Sequence, residues 1–386
     1  MFFLRLVLRN AFRARLRSAL TVVGLVIALT AFGLLQTVVR AWYAGSEAAS
    51  ATRLVTRNSI SLVFPLPMYY REKILAIDGV RGVAVSNWFG GVWRDEKNFF
   101  AQFATDVPNF FAMYPEFRFR PAEWQDFLRD RQGAAVGRQL ADLYGFKVGD
   151  RVPIRGTIYP GNWEFTVRAI FDGRDDTVIT RQFYFHYDYL NEYLKQRFPR
   201  AANNAGVFVV DVDDPGRVAD VARAIDAEFA NSLAATLTET EKAFQLSFVA
   251  MVETIIEVIS GVSFVVILII LAVTANTMAM TARERLSEYA TLKALGFGPG
   301  FVARLIFAES VALAAIGGAI AAAATPGIAH AFWSAIGKSV FARFEVAPAT
   351  LAMQGAAAVA VGALAAVVPM LRSARVKIVD GLRHVG

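Results

Sequence analysis

Arg283, Glu284, Arg285, Glu288 and Lys293 crowd the stretch TANTMAMTARERLSEYATLKALGFGPG, which runs from Thr274 to Gly300 and opens by finishing an uncharged apolar run. Side chains of mixed sign on one short segment make ion pairs and a contact face. They are not a nucleophile with its base. Leu286, Ala290, Ala294 and Phe297 recur at i, i+4, i+8 and i+11, the spacing of one helical stripe, with Tyr289 beside it. Glu284 and Glu288 fall on the opposite side, flanked by Arg285. Leu292, Leu295 and the glycines complete the segment. Gly296, Gly298 and Gly300, with Pro299, then end the helix and allow a sharp return. A short helix over 282–300, apolar on one side and charged on the other, is either a docking element for another protein or an interfacial turn held by its arginines.

Two further polar residues sit in apolar runs. Asn276 lies near the end of one, and Glu309 about two turns into the next. An unpaired carboxylate in lipid is costly. Glu309 therefore serves a proton or substrate, or it meets a structural partner such as Lys293, Arg304 or a backbone end. Other chemistry is sparse. The chain has no cysteine, which excludes disulfides and Cys-based zinc sites. His186, His330 and His384 are far apart and read as surface or packing residues. Neither G-x-S-x-G nor H-E-x-x-H occurs. Gly337-Lys338-Ser339 matches the end of a phosphate loop, but Phe332 stands where its first glycine belongs. No catalytic residue and no metal site is expected, and no cofactor in this chain. If ATP and Mg²⁺ drive it, a separate ATPase must bind them.

The elements that position these residues are long and apolar. The chain has 386 residues, 55% of them hydrophobic, and a mean hydropathy of +0.41. Runs of about 18 or more apolar residues read as membrane helices. Four occur: 19–39, 258–281, 305–329 with only Glu309 charged, and 346–371. The net charge is +7, and the positive clusters flank the runs. Arg5, Arg9, Arg13, Arg15 and Arg17 precede the first. Arg283, Arg285, Lys293 and Arg304 lie between the second and third. Arg372, Arg375, Lys377 and Arg383 follow the fourth. This distribution argues against nucleic acid and for a lipid bilayer. The positive-inside rule places both termini and the 282–300 connection in the cytoplasm.

The expected order is a cytoplasmic surface helix over 1–17 and a first span over 18–42, uncleaved because it is longer than a signal peptide's apolar core. An extracytoplasmic domain over 43–250 follows, then a second span over 251–281 and the hook over 282–300. A third span over 301–329, an outer loop over 330–345, a fourth span over 346–371 and a tail over 372–386 complete it. Gly24, Ala28, Ala31, Gly317, Gly318, Ala356, Ala360 and Ala363 offer close helix approach, with span one or two at a dimer seam.

The inserted segment mixes strand-like pieces (SISLVF, VRGVAVS, FFAQFAT, RVPIRG, EFTVRAIFDG, GVFVVDVDD) with helix-like ones (YREKILAI, VGRQLADLYGF, PGRVADVARAIDAEFANSL). The fold class is thus four transmembrane helices plus an α+β domain between spans one and two. The aromatic stretch from Trp88 to Phe127 either fills a core or lines an apolar groove. WYAGSEAASATRLV and EKAFQLSFVAMVETIIEV are expected to extend the spans outward as a helical stalk.

NTMAMTARERLSEYATLKALG, which starts at Asn276 and is followed by Glu309, resembles the signature of MacB/FtsX-type ABC transporter permeases, with Arg285, Glu288, Ala294 and Gly296 at its positions. The C-terminal PMLRSARVKIVDGLRHV is similar to the family's closing segment through Pro369, Ala374, Leu382 and Arg383, with Val379 where a second proline is usual. VGRQLADLYGFKVGDRVPI resembles a piece of the family's outer domain. The resemblance implies two permease copies and two cytoplasmic ATPase subunits that bind ATP and Mg²⁺. The ATPase contact would be Arg283, Glu284, Arg285, Leu286, Glu288, Tyr289, Leu292, Lys293, Leu295, Gly296 and Phe297, together with the N-terminal surface helix. ATPase-driven motion would then export or extract a substrate from the outer face of the bacterial inner membrane, with a periplasmic adaptor protein as a further partner. The alternative is the switching of an extracytoplasmic partner such as a cell-wall hydrolase.

Overall fold

The computed structural model describes residues 2–43, 50–175, 177–250, 252–337, 341 and 344–375. The closing residues Val379, Leu382 and Arg383, with Lys338, Ser339 and His384, lie outside them. Two compact units result: Met1–Trp42 with Val252–Gly386, and Tyr43–Met251. The first unit opens with α1 (Phe2–Ala11) and α2 (Arg15–Tyr43). The expected single helix over 1–17 is therefore broken at residues 12–14. The turn closes where the Ser18 hydroxyl donates to the Ala11 carbonyl.

The inserted unit is a mixed sheet with helices. In chain order it runs β1 (Arg53–Asn58), β2 (Leu66–Pro67), α3 (Tyr70–Leu75), β3 (Val80–Trp88), β4 (Ala101–Thr105), α4 (Val107–Ala112), β5 (Phe117–Arg118), α5 (Pro121–Arg129) and β6 (Gly133–Gly137). It continues α6 (Arg138–Tyr144), β7 (Arg151–Gly156), β8 (Gly161–Gly173), β9 (Gln182–His186), α7 (Tyr187–Arg197), β10 (Asn204–Ala205), β11 (Val207–Val212), α8 (Val218–Phe229), β12 (Thr236–Thr240) and α9 (Glu241–Ala250). The main sheet has the order β12-β1-β11-β3-β4-β9-β6-β8-β5, with β7 beside β8. The pairs β4–β9 and β6–β8 are parallel.

Alternation builds this sheet. Along β7 the side chains of Val152 and Ile154 are buried while Arg151, Pro153 and Arg155 are exposed, the period of two that one buried face requires. Aromatics fill the core: Phe89, Trp163, Phe165, Phe183 and Phe185 in one cluster, Phe111, Phe127 and Phe171 in another. Tyr70 stacks on Phe229 at 3.9 Å in a third. Most of the Trp88–Phe127 aromatics are thus core; Trp88 and Phe99 remain exposed.

Two expectations fail here. SISLVF is no strand. The Asn58 side chain accepts from the Ile60 amide, a local turn that removes the backbone from the ladder. The run after the first span is not a continuous helix, because Arg53–Asn58 form β1 between β11 and β12. Leu54, Val55 and Thr56 gain more by burial in that sheet than an isolated helix would return. His186, the last residue of β9, is a packing residue. Its Nε2 lies 2.8 Å from the Phe127 carbonyl, and burial lowers its pKa.

The membrane unit continues with α10 (Glu253–Glu284), α11 (Leu286–Ala294), α12 (Pro299–Phe332) and α13 (Pro348–Arg375). Its four long helices have apolar windows and the length to cross a bilayer. The seam between α12 and α13 is made by small residues. A Cβ on Gly318 would lie 2.5 Å from the Ala358 Cβ, and the Ser310 hydroxyl donates to the Gly362 carbonyl at 2.7 Å. Gly317 faces Leu25 of α2. Ala356 and Ala360 lie off the intrachain seam. Both are exposed, and Ala358, Val361, Gly362 and Ala365 form the buried stripe of α13 instead. Inside the bundle, the Gln354 amide donates to the Leu29 carbonyl and to the Thr325 hydroxyl, each at 2.8 Å.

Candidate functional site: the hook between the second and third long helices

The hook is α11 and its two turns. Its start is a break at Arg285 (φ −104°, ψ 15°) that ends α10. Its end is a Schellman closure: Gly296 at φ +94° donates to the Lys293 carbonyl, and Phe297 donates to that of Leu292. That φ is why glycine stands there. Pro299 then occupies the first turn of α12, where its missing N–H costs nothing.

Arg285 is the centre. Its Nη1 donates to both Glu309 oxygens, at 3.0 and 2.8 Å, and its Nε to Glu288 at 3.0 Å. Its guanidinium lies 5.3 Å from the Tyr289 ring centroid. Arg285, Tyr289 and Glu309 are all buried. Burial alone would lower the Arg285 pKa; Tyr289, Glu309 and Glu288 outweigh it, and the pKa is raised. Burial drives the Tyr289 hydroxyl up as well. Glu309 is therefore half of a buried ion pair, and its partner is Arg285 rather than Lys293 or Arg304. Lys293 instead donates to the Ser373 carbonyl at 3.0 Å.

The N-terminal turn closes on the same residues. Arg17 makes two bonds to Glu284, at 2.6 and 2.8 Å, and Arg13 pairs with Glu288. A cavity of about 280 Å³ lies among these side chains, lined also by Asn10, Ser18, Thr281 and Leu313. Arg13 and Arg17 did not stand out in the sequence as partners of the hook, although their four-residue spacing matches that of Glu284 and Glu288.

The buried face of the hook does not follow the apolar stripe of Leu286, Ala290, Ala294 and Phe297. Arg285, Tyr289 and Ala290 point inward; Leu286, Glu288, Leu292 and Lys293 are half-buried; Ala294, Leu295, Gly296 and Phe297 are exposed. Leu295 is 71% exposed and Phe297 43%. Of the residues expected to face a partner, Arg285 and Tyr289 hold the hook to its own chain. Arg283 and Glu284 are exposed. Asn276 is on the exposed side of α10 and does not join Glu309. Among the described residues no cluster of His, Cys, Asp and Glu could hold a metal.

The inserted unit presents a second feature. Ile60, Leu62, Val63, Phe64, Tyr69, Leu233 and Leu237 are exposed. Ser59 donates to the Ala235 carbonyl at 2.9 Å, and Tyr70, next to Tyr69, donates to Ser232 at 2.7 Å, so these segments adjoin. They lie at the Asn58 and Thr236 ends of β1 and β12, opposite the ends where the chain enters and leaves the unit. Exposed apolar surface on this scale marks an interaction face more often than chance.

A family model described as MacB-like periplasmic core domain matches residues 18–228, and one described as FtsX-like permease C-terminal matches residues 260–378. The chain belongs to the MacB/FtsX-like ABC permease family. The permease is a multi-pass membrane protein with an α+β periplasmic-type domain between its first and second spans. Its inserted domain is similar to the periplasmic region of MacB from Actinobacillus actinomycetemcomitans (8% identity, 52% of this chain and 94% of that one, TM-score 0.36). It is also similar to the extracellular domain of the noncanonic ABC-type transporter YknZ from Gram-positive bacteria (13% identity, 49% and 99%, TM-score 0.34). A domain of a putative permease protein from Porphyromonas gingivalis is similar too (13% identity, 48% and 87%, TM-score 0.33). No curated protein matches the sequence.

Proposed function

We propose that this permease is the membrane subunit through which a separate cytoplasmic ATPase moves an extracytoplasmic domain, to export or extract a substrate from the outer face of the bacterial inner membrane. Both termini and the hook then lie in the cytoplasm, and ATP and Mg²⁺ are bound by the ATPase. A second permease copy completes the assembly, and α10, whose apolar face is the least covered of the four long helices, is the surface available for it. The observation that carries the reading is the hook itself. It is pinned to α12 through Arg285 and Glu309, yet its tip exposes Leu295 and Phe297. A lever needs both a fixed root and a free gripping end.

The test is co-purification with an ATPase encoded beside this chain, followed by ATPase rates. Leu295→Asp and Phe297→Asp change exposed residues and should leave the permease folded while binding falls at least about tenfold, the weight of about 1.4 kcal/mol at a contact. Undiminished binding in both would remove the tip as the grip.

The apolar face of the inserted domain supports a protein partner there, and the reading in which ATPase motion switches a cell-wall hydrolase rests on the same face. Val63→Asp with Phe64→Asp should abolish capture of that partner and leave ATPase binding unchanged. Recovery of an adaptor protein favours export; recovery of a hydrolase favours regulation. If the paired substitution leaves capture intact, this face is not the docking surface.

A further inference from the structure

The inserted domain has a buried charge cluster that its sheet does not require. Arg53 opens β1, the first strand of the unit, and Glu241 opens α9, its last helix. Their strands already pair, Leu54 opposite Thr240. Arg53 Nε donates to Glu241 at 2.9 Å, and the Ser50 amide donates to the same oxygen at 3.0 Å. The other end of the guanidinium reaches elsewhere. Nη1 donates to the Met113 carbonyl at 2.8 Å and to Glu116 at 3.1 Å, and Nη2 also pairs with Glu116. The guanidinium lies 4.0 Å from the Tyr114 ring centroid. Met113 to Glu116 form the turn between α4 and β5, in the aromatic cluster of Phe111, Phe117, Phe119 and Trp124. The Glu116 carbonyl accepts from Arg174 at 2.7 Å, which ties the turn to the end of β8.

Side-chain exposures are 5% for Arg53, 12% for Glu116 and 7% for Glu241. Burial alone would lower the Arg53 pKa; the bond to Glu116 and the charge of Glu241 outweigh it, and the group stays a cation. A buried ionic group adds little stability over apolar residues of the same volume. What a forked guanidinium does supply is fixed geometry between two carboxylates.

We propose that Arg53 is a positioning residue that makes the root of the inserted domain, where both chain connections attach, move as one rigid body with its aromatic lobe. The root is held by Glu241 and the lobe by Glu116, so displacement arriving along either connection reaches the lobe without slack. That the displacement originates in an ATPase rests on the function proposed above; the rigid link does not.

The absence of cysteine allows a direct test. Lys242 in α9 and Arg118 in β5 are exposed, and cysteines placed there accept spin labels on the full chain in nanodiscs. The expected result is a narrow distance distribution with native Arg53, a broadened one with Arg53→Gln, and partial broadening with Arg53→Lys, which keeps the charge but loses the fork. Circular dichroism and melting confirm folding. If Arg53→Gln does not fold, Glu116→Gln, which leaves the root bonds intact, should broaden the distribution instead. Equal widths in native and folded variant chains would overturn the proposal. In a complex with the ATPase, ATP should leave the distance unchanged with native Arg53 and shift it in Arg53→Gln; a shift of equal size in both would also overturn it. If no ATPase binds, the functional reading fails, while the ATPase-free widths still decide the rigid link.

Discussion

Glu309→Gln is expected to loosen the hook and weaken coupling to the ATPase proposed above, while binding at the exposed tip persists. The substitution removes the anion that accepts two bonds from Arg285 and leaves a guanidinium buried against Tyr289 with Glu288 as its remaining carboxylate. Removing one partner of a buried pair costs about 3–5 kcal/mol, because the other charge stays desolvated. Arg285→Met should cost a similar amount by stranding Glu309. The double variant Arg285→Met/Glu309→Met removes both charges and should recover most of the stability. It should not recover the part of the register of α11 against α12 that the Arg285–Glu309 pair sets. Melting in detergent and ATPase stimulation in the complex separate the two effects. Stability should fall in each single variant and return in the double one, and stimulation should be reduced in all three. Single variants that melt with the wild type would show that the pair holds nothing.

The other large effect is expected at the seam of α12 and α13. A Cβ on Gly362 would lie 2.7 Å from the Ala314 Cβ, 3.0 Å from the Val311 Cα and 3.1 Å from the Ser310 carbonyl. Two of those three are backbone atoms and cannot turn aside. Gly362→Val must therefore part the helices. It loses close packing, at about 1–3 kcal/mol or more for an overpacked core, and the hydrogen bond from Ser310, at about 1 kcal/mol. The expected result is loss of folded permease, read as protease sensitivity and low yield from membranes. Gly355→Val is the control. It lies on the same helix with nothing within 4 Å, and it should be tolerated. If both variants fold alike, helix propensity and not the seam governs this glycine.

Local physics made much of this protein readable. Runs such as Val258–Thr281 have to be helices in lipid, since no other backbone can satisfy its own hydrogen bonds there. The turn at Gly296 was readable because a left-handed residue after a helix favours glycine. VRGVAVS and RVPIRG carry the β-branched content of strands, and both are strands. The strands that escaped notice are β1, β6, β9 and β12, with the two-residue β2, β5 and β10. β6 is buried throughout and β9 nearly so, so they carry no alternation, while β1 was hidden in a supposed stalk.

The sequence by itself determined that the chain crosses a membrane, that it carries an α+β insert, and that a charged hook joins its second and third apolar runs. It did not determine which side of the hook faces inward. Periodicity defines a stripe only relative to itself, and the phase is set by what the stripe packs against. Here that is Glu309, twenty-four positions from Arg285, with Arg13 and Arg17 from the far N-terminus. The stripe of Leu286, Ala290, Ala294 and Phe297 was apolar enough to be the inner face. The tertiary structure chose Arg285, Tyr289 and Ala290 instead, because a carboxylate buried in α12 needs a cation more than the bilayer edge needs one further hydrophobic side chain.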